Sequence, residues 1–229
     1  MIVTDRMVFL HLHKSGGTFV NHLLRHCVPT MRMIGYHYPY RELPDADRHL
    51  PVVGTVRSPW GYYVSWFHFQ AGMQQPNVLF RICSDDRRLG FAETIDRLSN
   101  LAWDAESLER LEQALPESYE PRGLNLIKRD VGDLRESGLG FYSFLYQRLY
   151  QGAAQPMIAR MEALREELAS ALSAVGHLPD PCISGYLAAA PPINVTRHDA
   201  PESYFDDRLA GLVAERDRLV IDRYGYTLA

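Results

Sequence analysis

The chain has little cysteine, no long apolar run and no excess of positive charge, and each shortage excludes a class of protein. Cys27, Cys83 and Cys182 are the only cysteines among 229 residues. An odd number at wide spacing, with no CxxC pair, fits neither a disulfide framework nor a zinc knuckle, so unpaired thiols in a reducing compartment are predicted. The opening stretch, residues 1–17, is interrupted by Asp5, Arg6, His11 and His13. It lacks the apolar centre of a signal peptide and the roughly 20 apolar residues of a spanning helix, which predicts a cytoplasmic protein without a membrane partner. Lysine and arginine total 24 against 28 acids, a net charge of −4. Without a global positive field, nucleic acid is not an expected partner, and any anionic ligand must be held by a local site. HExxH, GxSxG and GxGxxG patterns are absent, so zinc-protease, serine-hydrolase and dinucleotide-binding readings have no motif behind them. There is no internal repeat.

What is present is an ordinary globular composition, 46% hydrophobic and 23% charged. At about 150 residues per domain, the length predicts one domain, residues 1–229, with an insertion. Met7 to Leu12 is a β-rich run that stops at His13-Lys14-Ser15-Gly16-Gly17-Thr18, after which Phe19, Val20, Leu23, Leu24 and Cys27 recur at helical spacing. A second run, Pro51 to Val56, ends at Arg57-Ser58-Pro59. Ser58 suits an N-cap and Pro59 the first helical position, with Trp60, Tyr63, Val64 and Phe67 on one buried face. Two strands each feeding a helix predict a parallel α/β sheet, whose ligands bind outside the carboxyl ends of the strands. Residues 31–50 read as irregular, 91–115 and 141–150 as helical, and 121–140 as a surface excursion. A short strand at 156–160, an amphipathic helix at 161–175 and a last helix near 204–224 complete the pattern. The middle third, about 71–140, is the expected helical insertion.

The glycine loop carries the first chemical signal. A strand that delivers backbone N–H groups into a helix N-terminus makes an anion cradle, because those donors lack intrahelical partners and the dipole is positive there. Lys14 adds a cation, Ser15 and Thr18 add hydroxyls, and Gly16-Gly17 allows close approach to a phosphate. The order excludes a nucleotide-hydrolysing P-loop, which needs G-x-x-x-x-G-K-[ST]: here Lys14 precedes the glycines.

His13-Lys14-Ser15-Gly16-Gly17-Thr18 after a strand resembles the 5′-phosphosulfate loop of sulfotransferases that use 3′-phosphoadenosine 5′-phosphosulfate (PAPS). A second motif of that family, a strand ending in Arg, then Pro, and a Ser eight positions after the Arg, is similar to Arg57, Pro59 and Ser65. Weaker similarity runs through residues 158–164 and 222–226. Gly61 and Tyr62 depart from the Asp and Arg that many members carry. The resemblance implies a P-loop-NTPase-like central parallel sheet flanked by helices. It further implies a sulfuryl transfer from PAPS, as co-substrate and with no metal required, to a hydroxyl or amine of a small-molecule or carbohydrate acceptor.

In that reading Lys14 and the loop residues Ser15, Gly16, Gly17 and Thr18 hold the phosphosulfate, as charge is stabilised in phosphoryl transfer. Arg57 with Ser65 holds the 3′-phosphate. Phe19 is placed to stack adenine, or is core. Arg197 is placed to touch a donor phosphate, or is a solvated loop residue. Imidazole suits the general base. Among nine histidines, His37, between the two motifs, resembles the family's catalytic histidine; His11, His13, His68 and His198 are the alternatives. Asp45-Ala46-Asp47 has the spacing of a nucleotide-sugar metal site but reads as a solvated pair. Asn194-Val195-Thr196 is a glycosylation sequon, irrelevant without secretion. Tyr36, Tyr38, Tyr40, Trp60, Trp66 and Trp103 are core or an acceptor surface. Two rival readings are a kinase-type phosphotransferase using Lys14 and a non-catalytic nucleotide-binding domain of a larger assembly. Acceptor identity and oligomeric state are not legible.

Overall fold

The computed structural model describes residues 1–120, 125–193 and 197–228. In chain order these form β1 (Ile2–Val3), β2 (Val8–Leu10), α1 (Gly17–Cys27), β3 (Arg32–Met33), β4 (Val52–Val56), α2 (Pro59–Ala71), α3 (Val78–Cys83), α4 (Phe91–Ser99), α5 (Ala105–Ala114), α6 (Lys128–Ser137), α7 (Phe141–Tyr150), β5 (Met157–Arg160), α8 (Leu164–Ala174), α9 (Pro181–Ala189), α10 (Asp207–Arg216) and α11 (Arg218–Tyr224). The chain is α/β and divides into two compact units, Met1–Arg57 with Gln147–Val195 and Ser58–Tyr146 with Thr196–Ala229. The expected insertion at 71–140 lies inside the second unit.

The first unit carries a five-stranded sheet in the order β3-β1-β2-β4-β5. β2, β4 and β5 are parallel, with Leu10 opposite Gly54 and Gly54 opposite Ile158. β1 is antiparallel to both neighbours, so the sheet is mixed where an all-parallel one is predicted from sequence. The cause is local: the Thr4 hydroxyl accepts the N–H groups of Arg6 and Met7 at 3.1 and 3.0 Å, turning the chain back after two residues. One face of the sheet buries Phe9, Val53 and Ala159 against Val20, Leu23 and Leu24 of α1, Leu168 and Leu172 of α8, and Ile183 and Leu187 of α9. Burying one such side chain contributes about 1.5–3 kcal/mol, so this layer anchors the strand ends that carry the loops.

The prediction of unpaired cysteines is corrected here. Cys27, at the end of α1, and Cys182, in the first turn of α9, form a disulfide with Cα atoms 5.5 Å apart. They are 155 positions apart in sequence, and only the packing of α1 beside α9 brings them together. The disulfide removes the argument from unpaired thiols to a reducing compartment. Cys83 is a free thiol, buried in α3, and burial pushes it up to about 12. No described helix is long and apolar enough to cross a membrane.

The second unit is helical. Its centre is Asp217, fully buried, which accepts the Tyr63 hydroxyl and the Ser143 N–H, both at 2.7 Å. Tyr62 stacks on Tyr142 with ring centroids 4.1 Å apart. The expected excursion at 121–140 contains a packed helix instead, α6, whose Val131 and Leu134 are buried and whose Asp130 caps the N–H of Ile127 at 3.0 Å. The expected last helix is broken into α10 and α11 at Asp217.

Candidate functional site

The loop between β2 and α1 is shaped by two glycines and one lysine. Gly16 has φ +81°, and a Cβ there would lie 2.6 Å from Met161 Sδ and 2.9 Å from Leu164 Cδ2, so the turn from β5 into α8 closes over it. Gly17 opens α1 against the imidazole of His11, with no room for a Cβ. Lys14 has φ +54°. The left-handed region costs a non-glycine residue about 1–2 kcal/mol, a strain that points to a positional role for this side chain. As N-cap, Gly16 has no side chain to satisfy the first-turn N–H groups of α1, and that turn carries no acid. Those N–H groups, at the positive end of the helix dipole, suit an anion. The Ser15 hydroxyl is fully buried and donates to the His13 carbonyl at 3.0 Å, bracing the turn. Thr18 is half-buried.

The parallel register sets the end of β4 beside this loop. Arg57, one residue past the strand, donates from Nη1 to the Lys14 carbonyl at 3.4 Å, bringing together two cations that stand 43 positions apart. Burial, and then the charge of Arg57, push the Lys14 ammonium down to about 8. Both effects oppose a positive charge at this position, and a bound anion reverses the second and offsets the first.

Three histidines gather at the same strand end. His37, in the left-handed region at φ +54°, meets the His11 carbonyl through Nδ1 at 2.7 Å. A carbonyl only accepts, so Nδ1 carries the hydrogen and Nε2 keeps its lone pair. The His13 ring stacks on His37 with centroids 3.5 Å apart and 18° between planes. His11 is 4.3 Å from His37 by centroid, and its Nδ1 contacts Asn21 Nδ2 at 3.2 Å. Burial is the main cause that lowers His37 to about 3, opposed by its hydrogen bond to His11 and aided by the charges of the Met1 amino group and Arg148. His11 is held well below the ordinary imidazole range, again chiefly by burial.

The structure therefore joins Lys14, Gly16, Gly17, Arg57, His13 and His37 in one unit. Phe19, in the same unit, is 6% exposed, its ring 5.4 Å from that of Tyr186 and 5.0 Å below the Arg165 guanidinium. Ser65 is buried on α2 of the second unit, and Arg197 is exposed in that unit outside any helix or strand. His68 and His198 face one another there with centroids 5.8 Å apart. Asp47 and Asp45 form ion pairs with Arg32 and Arg48, each at 2.9 Å. The sequon Asn194-Val195-Thr196 lies outside the described residues.

Two residues of this region escape sequence reasoning. Arg148, on α7, is 4% exposed and its charge reaches His37. Its only sequence signal is a lone cation within the aromatic run 141–150. The Tyr150 hydroxyl inserts at the end of β4, accepting from Thr55 N at 2.9 Å and donating to Thr55 O at 2.8 Å. Gly54 is the signal for it, since a Cβ there would lie 2.3 Å from that hydroxyl and a glycine inside a strand marks close approach.

No protein-family model, curated protein or solved structure matches this chain.

Proposed function

We propose that this chain is a sulfotransferase of the P-loop-like α/β type, moving a sulfuryl group from PAPS to a hydroxyl or amine of a small-molecule or carbohydrate acceptor. The observation that carries the reading is the contact of Arg57 with the Lys14 backbone, which sets two cations beside a helix N-terminus. A donor with a 5′-phosphosulfate and a 3′-phosphate supplies the negative charge such a site favours.

In the transfer, the sulfur–oxygen bond to the 5′-phosphate breaks and a bond from sulfur to the acceptor's oxygen or nitrogen forms. Lys14 and the N–H groups of Gly17 and Thr18 take the charge gathering on the leaving phosphate, as preorganised donors do in related group transfers. Arg57 holds the 3′-phosphate. His37 accepts the acceptor's proton at Nε2, the nitrogen that its bond to the His11 carbonyl leaves basic. An imidazole lowered to about 3 is a weak base, and an anionic donor alongside raises it, so proton acceptance is tied to a loaded site.

The test is ligand discrimination by Arg57→Ala. Adenosine 3′,5′-bisphosphate should bind on the order of 10²-fold more weakly, the size of a lost charge-assisted pair, while adenosine 5′-phosphate changes little. Equal weakening of both by a folded variant makes Arg57 structural. Tighter binding of ATP with Mg²⁺ than of the bisphosphate transfers the assignment to phosphotransfer.

A further inference from the structure

Away from the glycine loop, three side chains with soft or borderline ligand atoms converge on the far end of α1. Nitrogen of His26 and the sulfurs of Cys27 and Cys182 lie within 4.8 Å of one another. His26 and Cys182 are exposed and Cys27 is half-buried, so a solute reaches them. The His26 ring is 6.0 Å from that of Tyr186 on α9, the helix that carries Cys182. One imidazole and two thiolates are a ligand set preferred by Zn²⁺, whose ligand atoms stand about 3.5–3.8 Å apart around a tetrahedral ion. Reduction lets the two sulfurs part from their mutual bond toward that spacing, their Cα atoms standing 5.5 Å apart.

We infer that His26, Cys27 and Cys182 form a binding site for a thiophilic divalent cation, Zn²⁺ in class, that opens when the Cys27–Cys182 disulfide is reduced. The two states exclude one another chemically. In the oxidised chain both sulfurs are committed to their mutual bond and neither is a thiolate. Reduction by a dithiol breaks that bond with two electrons, leaving two thiols here and a disulfide in the reductant. The cation then displaces the two thiol protons and takes His26 as third ligand, with its fourth position open to water. The C-terminal end of α1 is the negative pole of its helix dipole, which favours a cation there. Either state staples the end of α1 to α9, so the layer beneath the sheet keeps its cross-link in both.

Cobalt(II) tests this without reference to any catalytic activity. The full chain is reduced with a phosphine, freed of it, and titrated with one equivalent of Co²⁺. Thiolate-to-cobalt charge-transfer absorption should appear, and Zn²⁺ should abolish it. The oxidised chain should show neither. His26→Ala keeps both cysteines and should still form the disulfide in air, yet lose about 100-fold or more in Zn²⁺ affinity, the upper end for a group that only supports a ligand. Cys182→Ser should show no charge transfer. The proposal is overturned if the reduced chain gives no band, if the oxidised chain binds equally well, or if His26→Ala binds as tightly as the parent. Loss of helical circular dichroism on reduction, not recovered with Zn²⁺, overturns it too.

Discussion

The imidazole of His11 lies against the backbone of Gly17 so closely that a Cβ on Gly17 would come within 1.9 Å of the ring. The carbonyl of the same His11 takes the Nδ1 hydrogen of His37 at 2.7 Å. One residue at the end of β2 thus sets both the entry of the glycine loop into α1 and the basic nitrogen of His37.

Gly17→Ala should therefore destabilise the chain by about 1–3 kcal/mol, as overpacking of a filled site does. Adding His11→Ala removes the obstructing ring, and the two changes should couple rather than add. Urea midpoints of both single variants and the double variant measure this. Additive effects would mean the helix end relaxes and the contact does not constrain the loop.

Lys14, lowered to about 8, should make anion affinity depend on pH. The protonated lysine favours the anion, so affinity for adenosine 3′,5′-bisphosphate should fall as pH rises through about 8, up to tenfold per unit before the bound-state pKa is reached. Lys14→Arg stays charged and should flatten the curve. An unchanged slope in that variant assigns the pH dependence to another group.

His37→Ala should retain bisphosphate binding yet lose turnover by about 10²–10⁴-fold, because a base acts only as the acceptor's proton leaves. Free His37, at about 3, should stay neutral in its ring resonances through mildly acidic pH and take up a proton more readily once the bisphosphate is bound. If the substitution weakens donor binding as much as it slows turnover, His37 orients the donor, and His13 becomes the next candidate.

Asp217, fully buried, is raised to about 6, chiefly by burial and against its hydrogen bonds from Tyr63 and Ser143. An unfolded aspartate titrates near 3.9, so between roughly pH 4 and 6 the native chain holds a proton that the unfolded chain has lost. Stability should accordingly fall as pH rises across that window, by about 3 kcal/mol from this group. Asp217→Asn, still able to accept the Ser143 N–H, should remove that part of the slope in urea titrations. The same slope in the variant would place its origin elsewhere.

Much of the first unit, and the opening helix of the second, was legible from local pattern. The runs at 7–12, 51–56 and 156–160 are the parallel strands β2, β4 and β5, and the helical spacing after Gly17 and Pro59 is α1 and α2. β2 and β4 show as continuous apolar runs because they are buried throughout, and α1 shows a helical period because one face of it is buried. Local pattern failed at β1, whose two residues are too few to show a period, and at α6, whose flanking glycines read as a loop. Of the candidate site, Lys14 and the glycines could be named because a strand feeding a helix has few chemical uses for that residue order, whereas Arg57 was named only through its resemblance to the second sulfotransferase motif.

By itself, then, the amino-acid order determined the strand–loop–helix units, the position of the glycine turn and the kinds of group available for an anion. Tertiary structure decided which groups meet. It set Arg57 against Lys14 through the parallel register, laid His13 on His37, brought Arg148 within reach of that ring, and joined Cys27 to Cys182. The physical reason is that helix and turn formation rest on contacts within a few residues. Register, burial and side-chain pairing instead depend on segments tens to more than a hundred positions apart, whose approach is settled only when the core closes.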